Sequence, residues 1–135
     1  MKKKLNCILL VDDDPDDNYF HQIINNKMDI VNEINIAYNG IEAIAYLKTE
    51  NRIPPDLIFL DLNMPKMNGW EFLDEYKNLS IAQKAKVIIV ILTTSANPDH
   101  IARAKEIQDV TGFTTKPLSK EFLTEILEDH FQDNL

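Results

Sequence analysis

A doubly wound α/β fold, one parallel sheet covered by helices on both faces, is the class this sequence predicts. Three observations point to it. Five short aliphatic or β-branched runs alternate with amphipathic segments from end to end, as in chains built from strand–helix units. The runs show little polar alternation, which is how strands buried on both faces read. Helix-capping signals stand ahead of the amphipathic segments and give the same count, five strands and five helices.

The first run, Ile8 to Val11, leads into DDDPDD. Asp14 before Pro15 is an N-cap with proline at the first helical position, and Asp16 and Asp17 fall in the first turn, where carboxylates complement the helix dipole. Phe20, Ile23, Ile24 and Met28 follow at helical spacing, predicting one apolar face. After the second run, Ile34 to Tyr38, Asn39 and Glu42 have capping-box spacing, and Ile41, Ile44 and Leu47 mark the helix. The third run is Leu57 to Leu60; Asn68 and Glu71 open a helix with Phe72, Leu73, Tyr76 and Leu79 on its face. Val87 to Leu92 is the fourth run, and Asn97-Pro98 caps a helix carrying Ile101, Ala104 and Ile107. The weakest run is Gly112 to Thr115. Ser119 then caps the last helix, with Leu118 and Leu123 as a hydrophobic staple and Phe122, Ile126, Leu127, His130 and Phe131 at the same spacing. The connection from Ile107 to Thr111 is about one residue longer than usual.

At 135 residues and 44% hydrophobic, the chain suits one domain spanning residues 1–135 with a single core and no output domain. Its 22 acidic against 14 basic residues give net charge -8 and pI ≈ 4.8, a surface that repels nucleic acid phosphates and anionic lipid. The only cysteine, Cys7, lies in an apolar run and has no disulfide partner, which fits a reducing cytoplasm. MKKKLNCILLV imitates a leader, but its apolar segment is short, runs into acids and lacks a small-residue cleavage site. No run is long enough to span a membrane.

In a sheet of this kind the ligand site lies beyond the carboxyl ends of the strands. Two carboxylates about 5 Å apart repel by roughly 3 kcal/mol at an effective dielectric of about 20, so the acids after Val11 need compensation. Capping accounts for Asp14, Asp16 and Asp17, and leaves Asp12 and Asp13 at the strand end. Asp61 stands at the tip of the third run. If the first and third runs are neighbours, three carboxylates converge with no His or Cys cluster nearby, a hard oxygen site suited to Mg²⁺. The fourth run ends in Thr93, Thr94 and Ser95, and the fifth in Lys116-Pro117. A hydroxyl and an ammonium beside metal-bound carboxylates make a place for a phosphoryl group. Singly, each residue has a plainer reading, as turn chemistry or a solvated loop lysine; the joint arrangement carries the argument.

At VDDD, DLNMPKMNG, LTTS and GFTTKP the sequence resembles the receiver domain of two-component response regulators, over nearly its whole length. The resemblance implies a flavodoxin-like sheet of order 2-1-3-4-5 and the output of a stand-alone, chemotaxis-regulator-like receiver. It implies that Asp61 is a nucleophile taking phosphate from a sensor histidine kinase, a histidine phosphotransfer protein or a small acyl phosphate. It assigns Mg²⁺ to Asp13 directly, to Asp12 largely through water, and to Asp61 and the backbone carbonyl of Asn63. Thr93 would bond a phosphoryl oxygen; Lys116 would pair with Asp61 beforehand and with the phosphate afterwards. Signalling would then run through Thr93 and an aromatic residue on the fifth strand, here Phe113 where tyrosine is common, to a downstream protein bound by the fourth helix, fifth strand and fifth helix. Apolar positions on those helices leave room for a phosphorylation-dependent homodimer. Thr94 stands where a smaller residue is frequent, and Lys116-Pro117 is cis in the family, whereas trans is the default from sequence.

His21, His100 and His130 lie on three different helices without a spaced metal partner and are read as structural or solvated. Trp70 is read as packing near Asp61, the methionines as filler, and Lys2 to Lys4 as a solvated terminus. Two rival functions are a Mg²⁺-dependent phosphohydrolase of the haloacid dehalogenase-like kind, which typically wants an acid two positions after the nucleophile where Asn63 stands, and a receiver-like binding module that never takes phosphate.

Overall fold

The computed structural model describes residues 4–50, 52–84, 88–94 and 97–131. Strands β1 (Leu5–Val11), β2 (Val31–Ala37), β3 (Leu57–Leu60), β4 (Ile88–Thr93) and β5 (Val110–Thr115) form one sheet of order β2-β1-β3-β4-β5. Every adjacent pair is parallel. The helices are α1 (Pro15–Met28), α2 (Gly40–Lys48), α3 (Gly69–Tyr76), α4 (Ile81–Lys84), α5 (Pro98–Lys105) and α6 (Lys120–His130). Since side chains alternate along a strand, Leu9, Val11, Ile58, Leu60, Ile89 and Ile91 face one layer with α2, α3 and α5. Ile8, Leu10, Leu57, Phe59, Val90 and Leu92 face the other, against α1 and α6. Among the described residues no helix is long and apolar enough to cross a membrane.

The expected elements are present, with four corrections. α4 adds a sixth helix of four residues, produced by a reciprocal cap in which Ser80 Oγ accepts from Gln83 N and Gln83 Oε1 accepts from Ser80 N. β1 and β2 start three residues earlier than expected, at Leu5 and Val31, and β5 starts at Val110. The extra residue before the fifth strand is absorbed as a register shift: Ile89 pairs with Val110, but Val90 pairs with Gly112, leaving Thr111 as the odd residue of a bulge. Val87, Ser95, Lys2 and Lys3 lie outside the described residues.

The fourth correction concerns α1. Its fully buried residues are Asn18, His21 and Asn25, while Phe20 is exposed and Ile23, Ile24 and Met28 are half-buried. Asn18 ties this inward polar stripe to the sheet rim, its Nδ2 donating to the Asp12 carbonyl at 2.9 Å, while Asn25 Nδ2 is satisfied one turn back within the helix, at the His21 carbonyl, 2.7 Å away. α1 ends on Asp29, whose φ of 53° is left-handed.

The loop between β3 and α3 is fastened at both ends. Gly69 N donates to the Leu62 carbonyl at 3.0 Å, Gly40 N to the Met67 carbonyl at 2.9 Å, and Asn68 and Glu71 cap α3 reciprocally. On α2 the box is displaced by one residue, because Glu42 accepts from Tyr38 N and not from Asn39 N.

Candidate functional site

β1 and β3 are neighbours in register, Val11 opposite Leu60, so Asp12 and Asp61 leave the sheet side by side. Asp12 N donates to the Ala37 carbonyl and Asp61 N to the Val11 carbonyl, which extends the ladder by one rung and fixes both backbones. Carboxylate oxygens of Asp12, Asp13 and Asp61 lie within 4.8 Å of one another. Asp12 and Asp61 are buried; Asp13 is exposed. Burial, and then the Asp12 carboxylate, push the Asp61 pKa up to about 6 against the opposing pull of Lys116.

Lys116 enters from the end of β5, where its backbone N–H donates to the Thr93 carbonyl at 2.7 Å and the bond to Pro117 is cis. Its Nζ lies 2.6 Å from Asp12, 2.7 Å from Asp17 and 3.7 Å from Asp61. Burial opposes the ammonium charge, but the hydrogen bonds to Asp12 and Asp17 outweigh it and raise the pKa above the usual lysine value. The expected pairing of Lys116 with Asp61 is present as an ion pair at 3.7 Å, and shorter contacts with Asp12 and Asp17, both within hydrogen-bond reach, are added to it. Asp17 is the site residue that sequence reasoning missed. Its position in a helical first turn explained it locally, and its partner stands 99 residues away.

Thr93 is buried at the end of β4, in register with Thr115, on the rim beside Asp61. Thr94 and Asn63 are exposed. Phe113 stands lower on the sheet, opposite Ile91, and packs on the core layer of α2, α3 and α5. It also lines a cleft of about 250 Å³ with Ile101, Ala104 and Val110 between α5 and β5. Trp70, on the first turn of α3, has the Arg103 guanidinium 4.3 Å from its ring centre and the His100 ring at its edge, 5.7 Å away.

Three carboxylates with no soft ligand among them fit a hard divalent cation, and the neighbouring ammonium and hydroxyl fit a phosphoryl group. Residues 8–128 match the response regulator receiver domain family. The chain belongs to that family. This receiver domain is 36% identical over 113 residues to the response regulator Rcp1 of Synechocystis, covering 81% of this chain and 75% of Rcp1. It spans as little as 7% of longer relatives. A two-component response regulator from Cytophaga hutchinsonii superposes with TM-score 0.84 at 32% identity, over 94% of this chain and 97% of that one. The phosphorylated cyanobacterial phytochrome response regulator RcpA gives 0.73 at 33% identity, over 92% and 89%. The Mn²⁺-bound form of Rcp1 gives 0.72 at 30%, over 96% of both chains. The receiver domain serves two-component phosphorelay signalling, and its sheet order is the one the resemblance implied.

Proposed function

We propose that this receiver takes a phosphoryl group onto Asp61 from a sensor histidine kinase or histidine phosphotransfer protein and passes the signal on by binding a downstream protein. The observation that carries the reading is the meeting of Asp61 with Asp12, Asp13 and Lys116 on one strand rim. An Asp61 carboxylate oxygen forms the new O–P bond as the donor's P–N bond breaks; the imidazole nitrogen keeps the electron pair and takes a proton from solvent. Asp12, Asp13 and Asp61, with the Asn63 carbonyl, would hold Mg²⁺, which when bound offsets negative charge on the transferring group. Lys116 reaches toward the phosphoryl oxygens from one side and the Thr93 hydroxyl from the other.

The added charge and acceptor oxygens draw Thr93 inward. Phe113 shares β5 with the strand end that carries Lys116, so its response runs through packing against the α5 cleft and needs no phenolic hydroxyl.

Intact-protein mass after incubation with acetyl phosphate and Mg²⁺ tests the reading. One phosphoryl adduct is expected, absent in Asp61→Asn and in metal-free buffer. An adduct that survives Asp61→Asn would move the acceptor elsewhere, and multiple turnover of a phosphomonoester would reinstate the phosphohydrolase.

A further inference from the structure

Asp17 is the acid whose position the reaction scheme leaves without a purpose. It occupies the third position of α1, where Asp14 already supplies the cap by accepting from Asp16 N and Asp17 N. Its carboxylate turns instead to Lys116 Nζ at 2.7 Å, with the Asp17 side chain one-third exposed and that of Lys116 nearly buried. An ammonium has three N–H donors. Two are taken by Asp12 and Asp17, and the 3.7 Å separation from Asp61 is beyond hydrogen-bond length.

A cation held by Asp12, Asp13 and Asp61 takes Asp12 away from Lys116, since one carboxylate oxygen cannot serve both at full strength. Asp17, which lies outside the metal trio, is then the remaining anchor. We infer that Asp17 is a positioning residue for Lys116: it holds the ammonium back from Asp61 while the site is empty of phosphate, and it competes with the phosphoryl group for the same ammonium afterwards. The inference rests on the reading of Asp61 as phosphoacceptor. It gives α1 a direct mechanical link to phosphorylation, because the bridge from β5 to its first turn opens when Lys116 moves to the phosphate.

The bridge predicts opposite effects on two measurements. In Asp17→Asn, Lys116 keeps its contact with Asp12 and is free to close on Asp61 as well, so Mg²⁺ binds about threefold more weakly. Transfer from acetyl phosphate at saturating Mg²⁺ becomes about threefold faster, because one repelling charge is gone and the ammonium is unopposed. Transfer from this donor breaks its P–O bond, acetate leaving with the electron pair, so no proton is required. Asp17→Glu should return both values toward wild type. Alongside, urea unfolding of metal-free Asp17→Asn, Lys116→Met and the double variant reports the bridge without any phosphate, and the two substitutions should be non-additive. Additive unfolding free energies would overturn the bridge. A fall in both Mg²⁺ affinity and transfer rate would leave a structural contact and overturn the positioning role. Non-additive unfolding in a wild-type protein that takes no phosphate would sink the phosphoacceptor reading, and the release of Lys116 with it.

Discussion

Gly69 stands against the backbone of Asp61: a methyl group added there would lie 2.6 Å from the Asp61 carbonyl oxygen and 2.9 Å from Leu62 Cα. Neither atom can swing aside as a side chain does. Gly69→Ala should therefore cost about 1 to 3 kcal/mol in urea unfolding and slow phosphorylation by acetyl phosphate at least about tenfold, since small displacements of a nucleophile are expensive. Gly40→Ala is the comparison. The nearest atoms to its new methyl are all in the Met67 side chain, 2.6 Å away at Cγ, which is flexible enough to move. Equal losses in the two variants would contradict the argument.

Asp61 gives the metal-free protein a pH dependence of definite sign. With its folded pKa raised from 3.8 to about 6 by burial and by Asp12, the folded state binds the extra proton, so stability falls as pH rises through about 6. Asp61→Asn removes the buried charge. At pH 7.5 without Mg²⁺ the variant should be more stable than wild type by about 1 to 3 kcal/mol, a gap that closes as pH falls from about 6 toward 4. The buried His21, whose pKa is lowered by burial and by Lys116, is common to both chains and cancels. A gap independent of pH would show that the charge is not its source.

Asp29 ends α1 with φ 53°, a conformation natural to glycine. Its ion pair with Lys4 joins two exposed side chains and adds little. Asp29→Gly should raise stability by about 0.5 kcal/mol and Asp29→Ala should lower it, with phosphorylation unchanged in both. The two unfolding midpoints should move in opposite directions.

Trp70 is the only tryptophan, and the cation over its ring belongs to another helix. Arg103→Ala should cost about 0.5 to 1 kcal/mol and shift the emission spectrum, giving an optical readout of contact between α3 and α5. An unchanged spectrum would mean that the stacked pair does not persist in solution.

Much of this was legible in the residues. Asp12, Asp13, Asp61, Thr93 and Lys116 are legible because each stands at the end of one of the five strand-like runs, the last of them weak, and a parallel sheet sends every strand end to the same rim. Ser80 with Gln83 is a capping pair that reads as a helix start, but none of the described residues of the helix it opens, Ile81–Lys84, is buried, so no apolar face announces it. Asn18, His21 and Asn25 could not be read as inward-facing, since Phe20, Ile23, Ile24 and Met28 offer a competing apolar stripe on the same helix. The bond that ties this face to the rim runs to the Asp12 carbonyl, a tertiary contact that periodicity does not encode. Asp17 was hidden by distance along the chain.

The separation of Asp12 from Lys116 has a consequence for the sheet as a whole. Acids from β1 and β3 sit in the middle of the sheet, whereas the ammonium they share arrives only with β5, the last strand made and an outer one. Without that strand in place, the three mutually repelling carboxylates lack the ammonium. The charge balance of the sheet's middle is thus tied to the docking of its outer strand, so that loosening β5 alone would leave the acids of β1 and β3 without their ammonium.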